Sequence, residues 1–427
     1  MKRVLAILVA GLWSLASWAA VQQAYEFPTL SPEYSPYEAT VVGTLPEVEA
    51  TLPAGNPMTM ERIRIFDDRV VPEPFFFDEE LRYSYAWQKG EAPLVFMIAG
   101  TGGTYNGSKN VNMGRAFFDA GFHVVSISSP TFMNFIVSAS RTSVPGHAYE
   151  DAKDLYRVME KIWERHREDI SVSDFYITGY SLGGFNTAFV TLLDETRKTF
   201  NFRKALLINP PVSLYSSISL LDRMSQNIPG GMDNFSLFFQ SLLDEVSNVY
   251  TASDSVDIDA DFLYQAYQAV NPSNEELAAL VGVSFRLSSA SLIYTADVIN
   301  RYGFVVPSNV IMTKNSSPGD YMRATYQLGF TDYVHGFFYP YYKQQDPTLE
   351  REQLVKDMSL TAIESYLKNS TKIEVMHNQD DIILAPGEID FFPRVFGDRA
   401  KIYPKGGHCG NMSHRDNVAH MINVFRQ

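Results

Sequence analysis

The sequence predicts an α/β fold: a mostly parallel, twisted sheet with helices on both faces and a large helical cap inserted into it. Three observations predict this. Mostly apolar runs recur at 94–99, 122–127, 175–178 and 204–208, as in strands buried on both faces. Between the second and third runs, Ala152, Leu155, Tyr156, Val158, Met159, Ile162 and Trp163 return at helical spacing, with charges on the opposite side. After Pro210-Pro211 the strand rhythm stops, and it resumes only at 372–376 and 400–403. Strand–helix–strand alternation requires parallel strands joined by covering helices.

In chain order, Lys2 and Arg3 precede a nearly apolar run from Val4 to Ala20, with small residues around Ala19. This is the pattern of a secretory signal peptide over 1–19, so the expected location is secreted or periplasmic. No cysteine lies near that cleavage region, which argues against a lipid anchor, and no later segment reads as apolar and long enough to span a membrane. Residues 20–60 carry Pro32, Pro36, Pro46, Pro53 and Pro57 and read as an extended arm with little regular structure. Residues 61–210 form the first part of the core. It opens with alternating stretches at 62–65 and 82–87 that suit half-buried antiparallel strands. Residues 211–371 form the helical insertion, with helical patterns at 235–246, 261–270 and 275–300 and a tyrosine-rich stretch at 321–342. Residues 372–427 complete the core and close with a helix at 415–426.

Composition excludes several classes. The chain is 45% hydrophobic and 20% charged, an ordinary globular balance. Its net charge of -14 repels phosphate backbones, so nucleic acid is not an expected partner. Cys409 is the single cysteine, so no intramolecular disulfide can form. The dispersed histidines lack metal-ligand spacing. No metal or cofactor is expected.

The chemistry-bearing signal is Gly179-Tyr180-Ser181-Leu182-Gly183-Gly184, placed between a strand and a helical stretch. Gly-x-Ser-x-Gly in that setting is a nucleophile elbow: the turn is so tight that its flanks must be small, and the helix directs free N–H groups at the reaction centre. A serine hydroxyl needs a base. His408, in Gly406-Gly407-His408-Cys409-Gly410 after the last strand, is the candidate, with small neighbours that leave its ring free. His123 falls within a strand, His166 ends a helix, and His147 sits in a loop. The base in turn needs a carboxylate, and Asp380-Asp381 follows the penultimate strand. The spacing before Ile382-Ile383 favours Asp380, with Asp381 the other choice. The glycine-rich run Ala99-Gly100-Thr101-Gly102-Gly103 offers backbone donors for an oxyanion: Thr101 or Gly102 acting with Leu182. It lacks the elements of a nucleotide-binding loop.

The order Ser181, Asp380, His408 and their strand settings resemble the α/β-hydrolase family. The resemblance covers 61–210 and 372–427; Ala99 stands where family members often carry histidine. It implies acyl transfer, usually hydrolysis of an ester, thioester or amide through an acyl-enzyme. The aromatic insertion points to a small-molecule or lipid-like substrate with a hydrophobic acyl group, as for a carboxylesterase or lipase-like enzyme. An acyltransferase using the same residues and a non-catalytic binding protein of the same fold are the alternatives.

Overall fold

A computed structural model describes residues 25–231, 234, 237–238 and 272–427. The signal segment 1–19 and the helical patterns expected at 235–246 (apart from 237–238) and 261–270 lie outside the described residues.

Eight strands form one sheet: β1 (Thr59–Ile63), β2 (Leu81–Ala86), β3 (Ala92–Ile98), β4 (His123–Ile127), β5 (Val172–Tyr180), β6 (Lys204–Ile208), β7 (Ile373–Asn378) and β8 (Ala400–Tyr403). Their spatial order is β1-β2-β4-β3-β5-β6-β7-β8. The β1–β2 and β2–β4 pairs are antiparallel; every pair from β4 onward is parallel. β7 pairs directly with β6, Ala205 facing Ile373 and Ile208 facing Met376, so the chain re-enters the sheet beside the strand it left.

Successive side chains of the central strands alternate between two cores, the period-two consequence of the pleat. Leu94, Phe96 and Ile98 face one side, with Ile177 and Leu207. There they meet Leu155 and Ile162 of a helix at Ala148–His166 and Phe185 of a helix at Leu182–Arg197. Val95 and Met97 face the other side, with Tyr176, Leu206 and Met376, against Phe117 of Ser108–Asp119 and Phe425 of Arg415–Arg426. Fully burying each such side chain contributes about 1.5–3 kcal/mol, which ties helices on both faces to the sheet.

In chain order the helices used below are α1 (Pro36–Val42), α2 (Ser108–Asp119), α3 (Met133–Ser138), α4 (Ala148–His166), α5 (Leu182–Arg197), α6 (Leu214–Met224), α7 (Asn274–Asn300) and α8 (Arg415–Arg426). Two of them correct the sequence reading. The arm contains a helix, α1, because Ser35 caps it by accepting from Glu38 N at 3.3 Å and a proline opens its first turn. And α7 is long and apolar enough to cross a membrane by length and composition, although its most apolar window is 67% buried inside the fold. It packs against α1, α3 and α6. A capping box starts it, with Ser273 and Glu276 exchanging bonds. In its last turn, Asp297 accepts four backbone N–H groups of the segment that follows, from Gly303, Phe304, Val305 and Val306, at 2.7–2.9 Å.

Candidate active site

Ser181 sits at the junction of β5 and α5 with φ 55 and ψ -125, a strained conformation for a residue with a side chain. The glycines around it are dictated by contact. A Cβ on Gly179 would lie 2.4 Å from the backbone of Gly183; one on Gly183 would lie 2.2 Å from the Ile98 carbonyl oxygen; one on Gly184 would lie 2.9 Å from the Gly179 oxygen. The turn closes only because those positions are bare. Its peptide is pinned by Ser181 N donating to Ile208 O at 2.8 Å.

His408 Nε2 lies 2.8 Å from Ser181 Oγ, and His408 Nδ1 lies 3.0 Å from both carboxylate oxygens of Asp381. Since Nδ1 faces a carboxylate it carries a proton, and Nε2 of the neutral ring accepts from the serine hydroxyl. All three residues are buried. Asp381 is further held by Asn209 Nδ2, at 3.0 Å, and by Ile383 N, at 3.1 Å. His377 lies 3.7 Å from the same carboxylate. Its Nε2 faces the Pro210 carbonyl at 3.0 Å and its Nδ1 accepts from Asn378 N at 2.9 Å. Burial, opposed by Asp381, lowers the His377 pKa, which keeps that ring neutral.

The structure therefore unites Ser181 and His408 but does not bring Asp380 to the imidazole; Asp381 takes that place. Asp380 instead faces the backbone of the histidine loop. It accepts from Gly407 N at 3.1 Å, from Gly406 N at 3.4 Å and from the Tyr34 hydroxyl. Adjacent side chains in the turn after β7 point apart, so one carboxylate reaches the ring and its neighbour reaches the loop. Spacing alone does not choose between them.

Electrostatics follow from burial and pairing. For His408, burial opposes the charged form, but the Asp381 carboxylate and the adjoining Cys409 sulfur raise its pKa above the ordinary imidazole value. For Asp381, burial pushes upward, but His408 and its hydrogen bond hold the carboxyl below the usual range. Asp380 has no imidazole partner, and burial raises it. Cys409 is buried, with Sγ 3.8 Å from His408 Nε2.

The glycine-rich loop after β3 lies against the elbow. A Cβ on Gly100 would be 2.8 Å from the Tyr180 ring and 3.1 Å from Ser181 Cβ. Gly102 N donates to Thr131 Oγ1 at 2.8 Å, and Gly103 N to Gly100 O at 2.9 Å. Those donors are engaged, which leaves Thr101 as the loop's candidate. Leu182 is the first residue of α5, so its N–H is one of the donors without an intrahelical acceptor. From the insertion, Ser288 of α7 comes so close that a Cβ on Gly102 would meet its Oγ at 2.5 Å.

The other candidate histidines are placed elsewhere. His123 is held between Gln88 N and Ser171 O, each at 3.0 Å. His166 bonds the Tyr83 hydroxyl at 2.7 Å. His147 precedes α4, its ring 4.8 Å from that of Tyr342.

A strand, a strained serine turn and a helix, followed in the chain by the carboxylate after β7 and the histidine after β8, complete the pattern. This is the α/β-hydrolase fold. No protein-family model matches the sequence, and no curated protein is similar to it. Solved α/β-hydrolase structures are similar at low identity. The Pyrococcus horikoshii acylaminoacyl peptidase is 12% identical with a TM-score of 0.42; the match covers 88% of this chain and 42% of that one. Proline iminopeptidase of Mycobacterium smegmatis is 12% identical (TM-score 0.40; 86% and 98% covered). A membrane phospholipase A described as a bacterial virulence factor is 14% identical (TM-score 0.41; 100% and 98% covered). At these identities the fold is read from the chain's own topology and residues.

Proposed function

We propose that this chain is a serine hydrolase that cleaves an ester, thioester or amide through an acyl-enzyme. The observation that carries the reading is the hydrogen-bonded series from Ser181 Oγ through His408 to Asp381, at 2.8 and 3.0 Å. Ser181 attacks the carbonyl carbon as His408 Nε2 takes its proton. Asp381 holds the tautomer and stabilises the imidazolium. The N–H groups of Thr101 and Leu182 hold the oxyanion. The imidazolium then protonates the leaving group, and water, deprotonated by the same ring, releases the acid.

The preferred substrate in this proposal is a small-molecule or lipid-like ester with a hydrophobic acyl chain. Support comes from the aromatic character of the insertion, whose α7 reaches the glycine-rich loop. Export is also part of the proposal and rests on the basic-then-apolar N-terminal pattern. A panel of chromogenic esters of graded chain length, with aminoacyl amides beside them, tests the reading in wild type and Ser181→Ala. Medium-chain esters are expected to turn over fastest, and only in wild type. Preference for acetyl esters overturns the substrate class; equal turnover by Ser181→Ala overturns the mechanism.

A further inference from the structure

The loop that carries His408 is built against the N-terminal arm. His408 N donates to Thr40 Oγ1 at 2.8 Å, and that hydroxyl donates to Pro36 O at 2.7 Å. Gly406 N donates to the Tyr34 hydroxyl at 2.8 Å, and Tyr34 in turn bonds Asp380. Thr44 Oγ1 donates to Gly410 O at 2.9 Å. Contact is so close that the loop's glycines have no space for side chains: a Cβ on Gly410 would sit 1.9 Å from Ala39 O, and one on Gly407 2.3 Å from Pro36 O. The small residues flanking His408 therefore admit the α1 backbone, a different reason from the freedom of the ring expected from sequence. From the core side, Asn378 Nδ2 donates to Gly407 O at 2.8 Å. The peptide bearing the base is thus clamped between β7 and α1.

We infer that the arm is a positioning strap for the base, in which Thr40 and the Tyr34–Asp380 pair fix the His408 backbone so that its ring spans Ser181 and Asp381. This rests on the proposed hydrolase reading for its catalytic consequence, but the geometric claim can be tested separately. Without the Thr40 hydroxyl, the His408 N–H loses its acceptor and the ring gains freedom to leave Ser181. Misplacement of a base by about 1 Å costs on the order of 100-fold in rate, so a loosened rather than displaced base is expected to cost about 10-fold.

The test uses full-length wild type, Thr40→Val, Thr40→Ser and Tyr34→Phe. It has two readouts: the rate of Ser181 labelling by a fluorophosphonate, and the low-field proton NMR signal of the His408 Nδ1–H. Thermal unfolding confirms that each variant is folded. Thr40→Val and Tyr34→Phe are expected to label about 10-fold more slowly and to show a broadened, faster-exchanging proton; Thr40→Ser keeps both near wild type. A folded Thr40→Val with an unchanged labelling rate and an unchanged proton overturns the strap. If wild type itself fails to label, the hydrolase reading falls, and the proton signal alone still decides whether the arm holds the ring.

Discussion

His408 meets Asp381 through Nδ1 at 3.0 Å to each carboxylate oxygen, while the preceding residue, Asp380, turns to the backbone of Gly406 and Gly407. Two adjacent carboxylates thus serve one loop in different ways, and their substitutions separate. Asp381→Asn is expected to lower kcat by about 10⁴-fold, because an amide no longer enforces the productive tautomer. Asp380→Asn retains an acceptor oxygen for the loop and is expected to cost no more than about 10-fold. Steady-state kinetics on one ester checks the ratio; equal losses would return Asp380 to the role the sequence favoured.

The pH profile follows from the raised pKa of His408. Only the neutral ring accepts the serine proton, so kcat/KM is expected to rise with pH along a limb whose midpoint lies above the free imidazole value of about 6.5. The pair also links stability to pH. A raised folded pKa for His408 gives stability that is full below about 6.5 and lost as pH rises through the folded value. The lowered pKa of Asp381 gives stability that is present above about 3.9 and lost as pH falls through its folded value. The Tm gap between wild type and Asp381→Asn should therefore be widest between about pH 4 and 6.5 and shrink above it. A gap that widens steadily towards alkaline pH contradicts the pairing.

The elbow makes a steric prediction. Gly183→Ala places a methyl group 2.2 Å from the Ile98 carbonyl oxygen, backbone that cannot yield. The expected loss is about 3 kcal/mol or more, with loss of activity. Gly121→Ala, at φ 96 with nothing within 4 Å, carries only backbone strain of about 1–2 kcal/mol. Urea unfolding of both variants measures the difference.

Asp297 offers a test away from the chemistry. Asp297→Ala removes the shared acceptor of the N–H groups of residues 303–306, of which Val306 is buried. The expected cost is about 3–5 kcal/mol of stability, read as a lowered midpoint in denaturant, while Asp297→Asn recovers part of it.

What the sequence made legible was local. Each buried strand announces itself as an apolar run, α4 by its stripe, and the elbow by glycines whose necessity the close approaches at Gly179, Gly183 and Gly184 explain. His408 was readable from its place after the last strand. The choice of Asp381 was not, because the two carboxylates differ only in which way a turn points them. Tyr34 and Thr40 were not readable either: their partners lie more than 300 residues away, and a single tertiary hydrogen bond leaves no periodic trace. The α7 helix was misjudged for spanning length because an apolar helix buried within a protein and one buried in lipid carry the same composition.

The central claim is that the hydroxyl of Ser181 is an activated nucleophile because of the ring 2.8 Å from it. Its most direct measurement is fluorophosphonate labelling of folded protein, with mass spectrometry to locate the adduct. Stoichiometric modification of Ser181 in wild type, abolished in Ser181→Ala and at least about 1000-fold slower in His408→Ala, is the predicted result. An unmodified Ser181 in folded wild type, or equal labelling without His408, contradicts it.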